Sequence, residues 1–375
     1  MRRSLLLALL AVMTAAPAAA GEPPVDATPS PDPDGALVPP SPGHRTLAFG
    51  AGILPGVLLH GSGSFALGRH STAHKLLAAE GVGLGMVAIG LGTLAGTGAS
   101  RYLAAPAASF MIPGAGLFGM SLVADLLATA WPMEDRGEPL RRAPTVEVEL
   151  GYRAIHDPVF RYGHLLQQRL TLAVGGLRVI PEMWTAMDDA NARMRLEAAY
   201  RPFGPRPDRE ASDGSYVDFR LAATHHRFAS DGFRTLTGEL AARGRLDLAR
   251  FDDFLTGQYA ELELGVALQG YGYDVPAQSI GADTETILLM RFAHGVYIGD
   301  PKRPPYGEIQ NYYDHRHDTF AGGLTGFAIG IPGYFGFDGF AYFDDHWGLR
   351  GHLEVGSAVL GGVSLLLRSS PFGSP

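Results

Sequence analysis

Between residues 145 and 370 apolar and polar positions alternate with period two, in one stretch after another. Val146, Val148, Leu150 and Tyr152 fall on one side, Glu147, Glu149 and Arg153 on the other. Met194, Leu196, Ala198 and Tyr200 stand opposite Arg193, Arg195 and Glu197, and Val217, Phe219 and Leu221 opposite Asp218 and Arg220. Leu262, Leu264, Val266 and Leu268 stand opposite Glu261 and Glu263, and Leu353 and Val355 opposite His352 and Glu354. Strict alternation of this kind predicts strands with one apolar face. Turn chemistry separates them: Arg-Pro-Phe-Gly-Pro at 201–205, Ser-Asp-Gly at 212–214 and 230–232, Asp-Pro at 300–301.

Upstream the pattern changes. Residues 46–131 are rich in Gly, Ala and Leu and almost free of charge after Glu80. One helix is expected from near Ser71, with Ser71 or Thr72 as its cap, through Gly96. A second is expected from about Ala104 to Trp131, with Pro106 and Pro113 interrupting its start. Gly81 and Gly85 lie four apart, as do Ala88, Gly92 and Gly96, a spacing that forms small-residue seams for close helix approach. A helical hairpin embedded in a membrane or plugging a barrel is expected here, with an ordinary buried hairpin as the alternative. Residues 132–144 form a charged, Pro-bounded linker, and residues 21–45, dense in Pro, Asp and Ser, read as a disordered spacer. Arg2 and Arg3, the apolar run Leu5–Val12 and the small residues Ala18–Ala20 mark residues 1–20 as a cleaved Sec signal. That run is too short to span a bilayer, which takes about 20 residues.

Charged faces in strand after strand fit the outside of a soluble sandwich or the lumen of a membrane barrel. Length favours the barrel: several strands run to about ten residues or more, against five or six in a typical soluble strand, and a tilted membrane strand needs about 9–11. Aromatics also crowd the strand ends, among them Tyr271 and Tyr273, Tyr312 and Tyr313, Tyr334 and Phe335, and Tyr342, Phe343 and Trp347, as interfacial girdles do. An open sheet edge in hydrocarbon leaves N–H and C=O groups unpaired at several kcal/mol each, and closure removes the edge. At roughly 18–22 residues per strand and turn, residues 145–370 supply ten to twelve strands; bacterial barrels prefer even numbers, and twelve is the expectation. The expected fold is mainly β: an antiparallel transmembrane β-barrel preceded by a short α-helical hairpin region.

The alternating strands, their aromatic ends and the last apolar strand, Gly361 to Arg368, resemble Gram-negative outer-membrane β-barrel proteins. Such proteins usually close on a terminal aromatic, whereas Phe372 is followed here by Gly373, Ser374 and Pro375. Pro55-Gly56, the run His60 to Phe65 and Gly68 are similar to the openings of small bacterial membrane hairpin domains. The resemblance implies a cell outer membrane location, a porin-like architecture and outer-membrane lipid as partner; it names no activity. Glu80 and the six glycines of 78–97 keep that segment marginal as a stop signal, so passage to the periplasm is expected.

Composition narrows the chemistry. The 375 residues hold no Cys, which removes disulfides, thiolate metal sites and Cys nucleophiles. A net charge of -8, without a basic cluster, does not point to nucleic acid. Gly reaches 50 residues, charged residues only 18%, and mean hydropathy is +0.06, between soluble enzymes and helical membrane proteins. The densest polar run is Asp314-His315-Arg316-His317-Asp318. His315 and His317 share a strand face and are candidate metal ligands, with His225, His226 or His294 as a third. His60-Gly61-Ser62-Gly63-Ser64 lacks the Lys of a phosphate loop and reads as a flexible turn. No cofactor is indicated. The expected lumen charges are Glu147, Glu149, Arg153, Arg193, Arg195, Glu197, Asp218, Arg220, Glu261 and Glu263, with Glu239 and Glu354. Mixed signs across a narrow barrel favour an ion-pair network over a selective pore. The leading reading is a non-enzymatic envelope role: a narrow or plugged channel for small solutes, with an apolar N-terminal segment able to occlude it, or a structural barrel. A membrane-barrel enzyme acting on lipid at Asp314–Asp318 and a soluble periplasmic β-protein are the rivals.

Overall fold

The computed structural model describes residues 41–156, 163–228, 232–272, 284–315 and 333–369. Among the described residues four α-helices precede the strands: α1 (Pro42–Ile53), α2 (Ser62–Ala66), α3 (His70–Gly96) and α4 (Arg101–Ala130). Twelve strands follow: β1 (Val146–His156), β2 (His164–Val174), β3 (Leu177–Ala186), β4 (Ala192–Phe203), β5 (Tyr216–Arg227), β6 (Arg234–Asp247), β7 (Gln258–Gly272), β8 (Thr284–Asp300), β9 (Arg303–Asp314), β10 (Tyr334–Tyr342), β11 (Trp347–Val355) and β12 (Val359–Arg368). Each pairs antiparallel with its neighbours in sequence, and β1 closes on β12 in the register Glu147↔Arg368 to His156↔Val359. The barrel therefore has no edge. Strands of 9 to 17 residues suit a tilted wall.

Alternation sets the two faces. Leu150, Leu196, Leu221, Leu240, Leu268, Phe337 and Val363 are exposed on the outer wall, while Glu149, Arg193, Glu197, Asp218, Glu263 and Glu354 are buried inside. Gly175, at φ +56°, occupies the two-residue turn between β2 and β3, a conformation that glycine adopts without steric cost.

The helices differ from expectation in several respects. Helix α1 begins at Pro42, inside the stretch read as spacer; residues 1–40 lie outside the described residues. Helix α4 starts at Arg101 and runs through both Pro106 and Pro113 instead of being broken by them. Each proline removes one hydrogen bond, and the other bonds of a 30-residue helix packed along α3 outweigh that loss. The seam between α3 and α4 also falls elsewhere. A Cβ on Gly83 would stand 2.7 Å from Gly114 O, and one on Gly90 2.7 Å from Ala107 O. Gly81, Gly85, Gly92 and Gly96 face open space. The four-residue spacing is on the wrong side of the helix, and the glycines seven apart make the contact.

The hairpin does not enter the barrel; it lies on the outer wall. Alternation sends Arg291, Ala293 and Tyr297 of β8 into the lumen and turns Met290, Phe292 and His294 outward, yet Met290 and His294 are 0% and 2% exposed. Helix α4 covers them. The Phe292 ring fills the space a side chain at Gly116 would occupy. Gln258 Nε2 donates to Ala124 O at 3.3 Å, and Gln258 Oε1 pairs with His294 Nε2 at 3.1 Å. Leu76, Ala124 and Ala128 pack with Leu248, Phe254 and Leu255 from the β6–β7 connection. The expected plugging by the N-terminal segment is thereby corrected: an all-apolar hairpin finds its match on the apolar outside, not in a charged lumen.

The two acids of these helices are satisfied by the loop read as flexible. Asp125 accepts from Gly63 N, Ser64 N and Ser64 Oγ at 2.5–2.9 Å. Glu80 accepts from His60 N at 2.9 Å. His60 Nδ1 lies 2.6 Å from Ser121 Oγ, whose own proton goes to Phe118 O at 2.8 Å. His60 therefore donates to Ser121, so this pair does not activate a nucleophile. Burial lowers the His60 pKa, in keeping with a neutral ring. A buried carboxylate needs such donors, and the loop supplies them.

A clip ties α3 to the barrel. Thr72, expected as a cap, instead donates to Asp252 at 2.7 Å, and Lys75 Nζ reaches the same carboxylate at 3.0 Å. Partial burial raises the Asp252 pKa, but the Thr72 and Lys75 hydrogen bonds prevail and hold it below the usual carboxylate range. A depressed folded pKa contributes stability above the unfolded value, about 3.9, and the contribution disappears as pH falls through the folded value. The amide protection factor at the start of α3, the observed exchange referred to the intrinsic rate at each pH, should therefore be high at neutral pH and fall below about pH 4. Asp252→Asn should abolish that acid-dependent step. An unchanged step in Asp252→Asn would assign it to another group.

Candidate functional site: the barrel lumen

Every charged position expected to face the lumen does so, because each lies on the inward set of its strand. The strands bring them together as ion pairs across neighbouring and more distant staves. Arg195 forms a two-pronged pair with Glu239 at 2.6 and 2.7 Å. Arg220 bonds Glu197 at 2.9 and 2.6 Å and also reaches Glu263. Asp218 holds Arg201 at 2.7 and 2.8 Å and Arg178 at 2.5 Å. Glu261 gathers Arg243, Arg245 at 2.6 Å, Arg291 at 3.1 Å and the Tyr216 hydroxyl at 2.8 Å. On the opposite wall Arg350 grips Asp338 at 2.8 and 2.9 Å and touches Glu149 at 3.3 Å, while Arg153 reaches Glu149 at 3.5 Å. Tyr342 donates to Glu147 and Tyr312 to Glu354. Arg153 and Arg193 lie beside the Trp184 ring, 5.6 and 5.3 Å from its centroid.

Sequence reading missed Arg169, Arg178, Arg201, Arg243, Arg245, Arg291, Glu308, Asp338 and Arg350. A signal was present in composition: of the 30 basic residues only Lys75 and Lys302 are lysines, and the rest are arginines. The planar guanidinium engages carboxylates two-pronged and tolerates burial better than an ammonium. A cationic residue set made almost wholly of Arg fits an interior lattice better than a solvated surface.

Between these pairs remains a cavity of about 250 Å³ lined by eight arginines and seven carboxylates. At the end that carries Val146 and Arg368, Tyr306, Tyr342 and Leu366 form a buried cluster inside the barrel. The linker crosses that mouth. Gly137 N and Glu138 N donate to Tyr297 O and Gly299 O of β8. Leu140 packs on Tyr306, Tyr342 and Leu366, inward-facing residues of β9, β10 and β12. Arg141 O then accepts from Ala211 N, and Arg142 Nε donates to Pro207 O, in the β4–β5 connection, whose Gly214 lies against the Tyr297 ring. Residues 137–142 thus form a strap over the mouth, held by β8, by the inward residues of β9, β10 and β12, and by that connection.

Of the candidate metal pair only His315 falls among the described residues. His315 closes β9, its N–H donating to Met290 O, and Tyr313 Oη lies 3.4 Å from its Nδ1; His317 lies outside the described residues. His226 faces inward against Asn191 at 3.0 Å, His225 faces outward, and His294 is under α4. A barrel wall separates these imidazoles. Among the described residues no group of three or more His, Cys, Asp or Glu is placed to hold a metal ion.

No protein-family model matches the chain, and no curated protein matches it. Solved outer-membrane β-barrels align with it. The outer membrane protein Omp33 of Acinetobacter baumannii does so at 8% identity and a TM-score of 0.30, over 61% of this chain and 100% of that one. The translocator domain of the autotransporter NalP from Neisseria meningitidis aligns at 13% identity and a TM-score of 0.33, over 61% and 90%. The NanC porin aligns at 11% identity and a TM-score of 0.34, over 60% and 99%. These alignments describe architecture alone. The strand pairing above makes the chain a closed 12-strand antiparallel β-barrel preceded by a helical segment.

Proposed function

We propose that this chain is an outer-membrane barrel with a closed lumen, serving the envelope as a plugged, non-enzymatic barrel that carries a membrane-embedded helical hairpin. The observation that carries the reading is the strap 137–142 joined to the ion-pair lattice behind it. The belt of exposed Leu, Val and Phe on the outer wall supports lipid as its surroundings. Helices α3 and α4 are each long and apolar enough to cross a bilayer and continue that belt. The longest connection, between β9 and β10, joins strand ends away from Val146 and Arg368, while the strapped end carries 204–215 and 248–257 beside three turns of two to four residues. Outer-membrane barrels send their longest loops outside, which supports the strapped mouth as the periplasmic one.

Membrane fractionation and a heat-modifiability gel test the location: the chain should extract with outer membranes and migrate faster unboiled. Planar-bilayer recording tests the closure. Wild-type protein should give no unitary conductance steps. A variant with Glu261, Arg243, Arg245 and Arg291 all replaced by Ala, and with Leu140→Gly in the strap, should give them. Stable steps from the wild type would overturn the closed barrel in favour of a narrow channel for small solutes.

A further inference from the structure

We propose that the lumen cavity binds a small oxyanion, carboxylate or phosphate in type, on the wall made by β1 and β2; the proposal deepens the closed-barrel reading and rests on it for the enclosure of the site. Two observations single out this wall. The Arg169 guanidinium lines the cavity and has no hydrogen bond, and no ion pair within 4.0 Å, among the described residues. Every other arginine in the cavity lining is engaged by a side chain. Arg153, only 3% exposed, leaves Nη1 buried without a partner, although its Nε donates to Gln167 at 2.7 Å.

The two arginines surround one carboxylate. Glu149 is the cross-strand neighbour of Arg169, and Arg153 lies four residues along the same inward face. Glu149 is also touched by Arg350, and its contacts of 3.3 and 3.5 Å are long beside the 2.6–2.9 Å pairs elsewhere in the lumen. The other neighbour of Arg169 in register, Glu182, reaches Arg193 at 3.4 Å. Two guanidiniums thus share one carboxylate, and Arg169 lines the cavity beyond ion-pair distance of it. The buried Arg153 Nη1 lacks a partner, at a cost of about 1–3 kcal/mol, which an oxyanion held between it and the half-buried Arg169 relieves. The cavity matches in size: at about 30 Å³ per water, it has room on the order of eight waters, enough for phosphate or a short dicarboxylate and too little for a polymer.

Isothermal titration of the folded full-length protein in detergent, at constant ionic strength, tests the site with inorganic phosphate and succinate in separate arms and chloride as the baseline. Saturable binding of one or both is expected, and the arm that responds identifies the anion. Arg169→Gln should weaken it about tenfold or more. Arg169→Lys, which keeps charge but loses the fork, should fall between. The exposed Arg209→Gln should match the wild type. Each variant is first checked for heat-modifiable migration. No saturable binding in either arm, or binding unchanged in Arg169→Gln, overturns the proposal. Wild-type conductance would instead strike at the closed-barrel reading, and the two failures are distinguishable.

Discussion

Replacing Glu261 by Ala should lower barrel stability more than any other single change in the lumen. This carboxylate is almost fully buried and is shared by Arg243, Arg245, Arg291 and the Tyr216 hydroxyl. Its removal leaves three guanidiniums facing one another with their common counter-charge gone. Breaking a buried pair by deleting one partner costs about 3–5 kcal/mol, because the remaining charge has lost its compensation. The urea midpoint of the refolded barrel should fall accordingly, and boiling should no longer be needed to unfold it fully. Glu261→Gln, which keeps the shape, should lose most of the same stability. The exposed Glu134→Gln should lose almost none. A Glu261→Ala barrel with wild-type stability would mean that water, not the carboxylate, balances these arginines.

Gly83→Leu should prise the helical hairpin apart, whereas Gly85→Leu should be tolerated. At Gly83 the new Cβ would stand 2.7 Å from Gly114 O and 2.8 Å from Phe118 N, backbone atoms that cannot step aside. Overpacking of this kind costs about 1–3 kcal/mol or more. Gly85 faces open space, and Leu there gains up to about 1 kcal/mol of helix propensity. The absence of cysteine makes the readout clean. A Gly116→Cys and Phe292→Cys pair should cross-link under mild oxidation, since these positions touch across the hairpin and the outer wall. Adding Gly83→Leu should cut the cross-linked fraction severalfold; adding Gly85→Leu should leave it unchanged. Equal yields in the two would place the helix seam on the other glycine face.

How much of this could be read from residue order depends on the range of the interaction. Alternation along 146–153 is local: a strand has period two, so Leu150 and Arg153 must lie on opposite faces of whatever sheet forms. That is why Glu149 and Arg153 can be assigned to one face from residue order alone. Arg169 and Asp338 sit in weaker patterns and cannot be. The glycine seam failed for a related reason. Spacing four and spacing seven both return to nearly the same side of a helix, and only the partner helix decides which stripe it meets. Third ligands for His315 and His317 depend on closure in the same way: the barrel wall sends His225 and His294 outward and His226 inward, so no one face collects all three.

Residue order is enough to specify an apolar-out, charged-in ribbon long enough to close, and an apolar hairpin ahead of it, because hydropathy periodicity is a property of each segment alone. Which guanidinium meets which carboxylate, that α4 covers Met290 and His294 from outside, and that residues 137–142 cross the mouth emerge only in the folded chain. Those outcomes depend on strand register and closure, which bring residues distant in sequence within hydrogen-bonding reach.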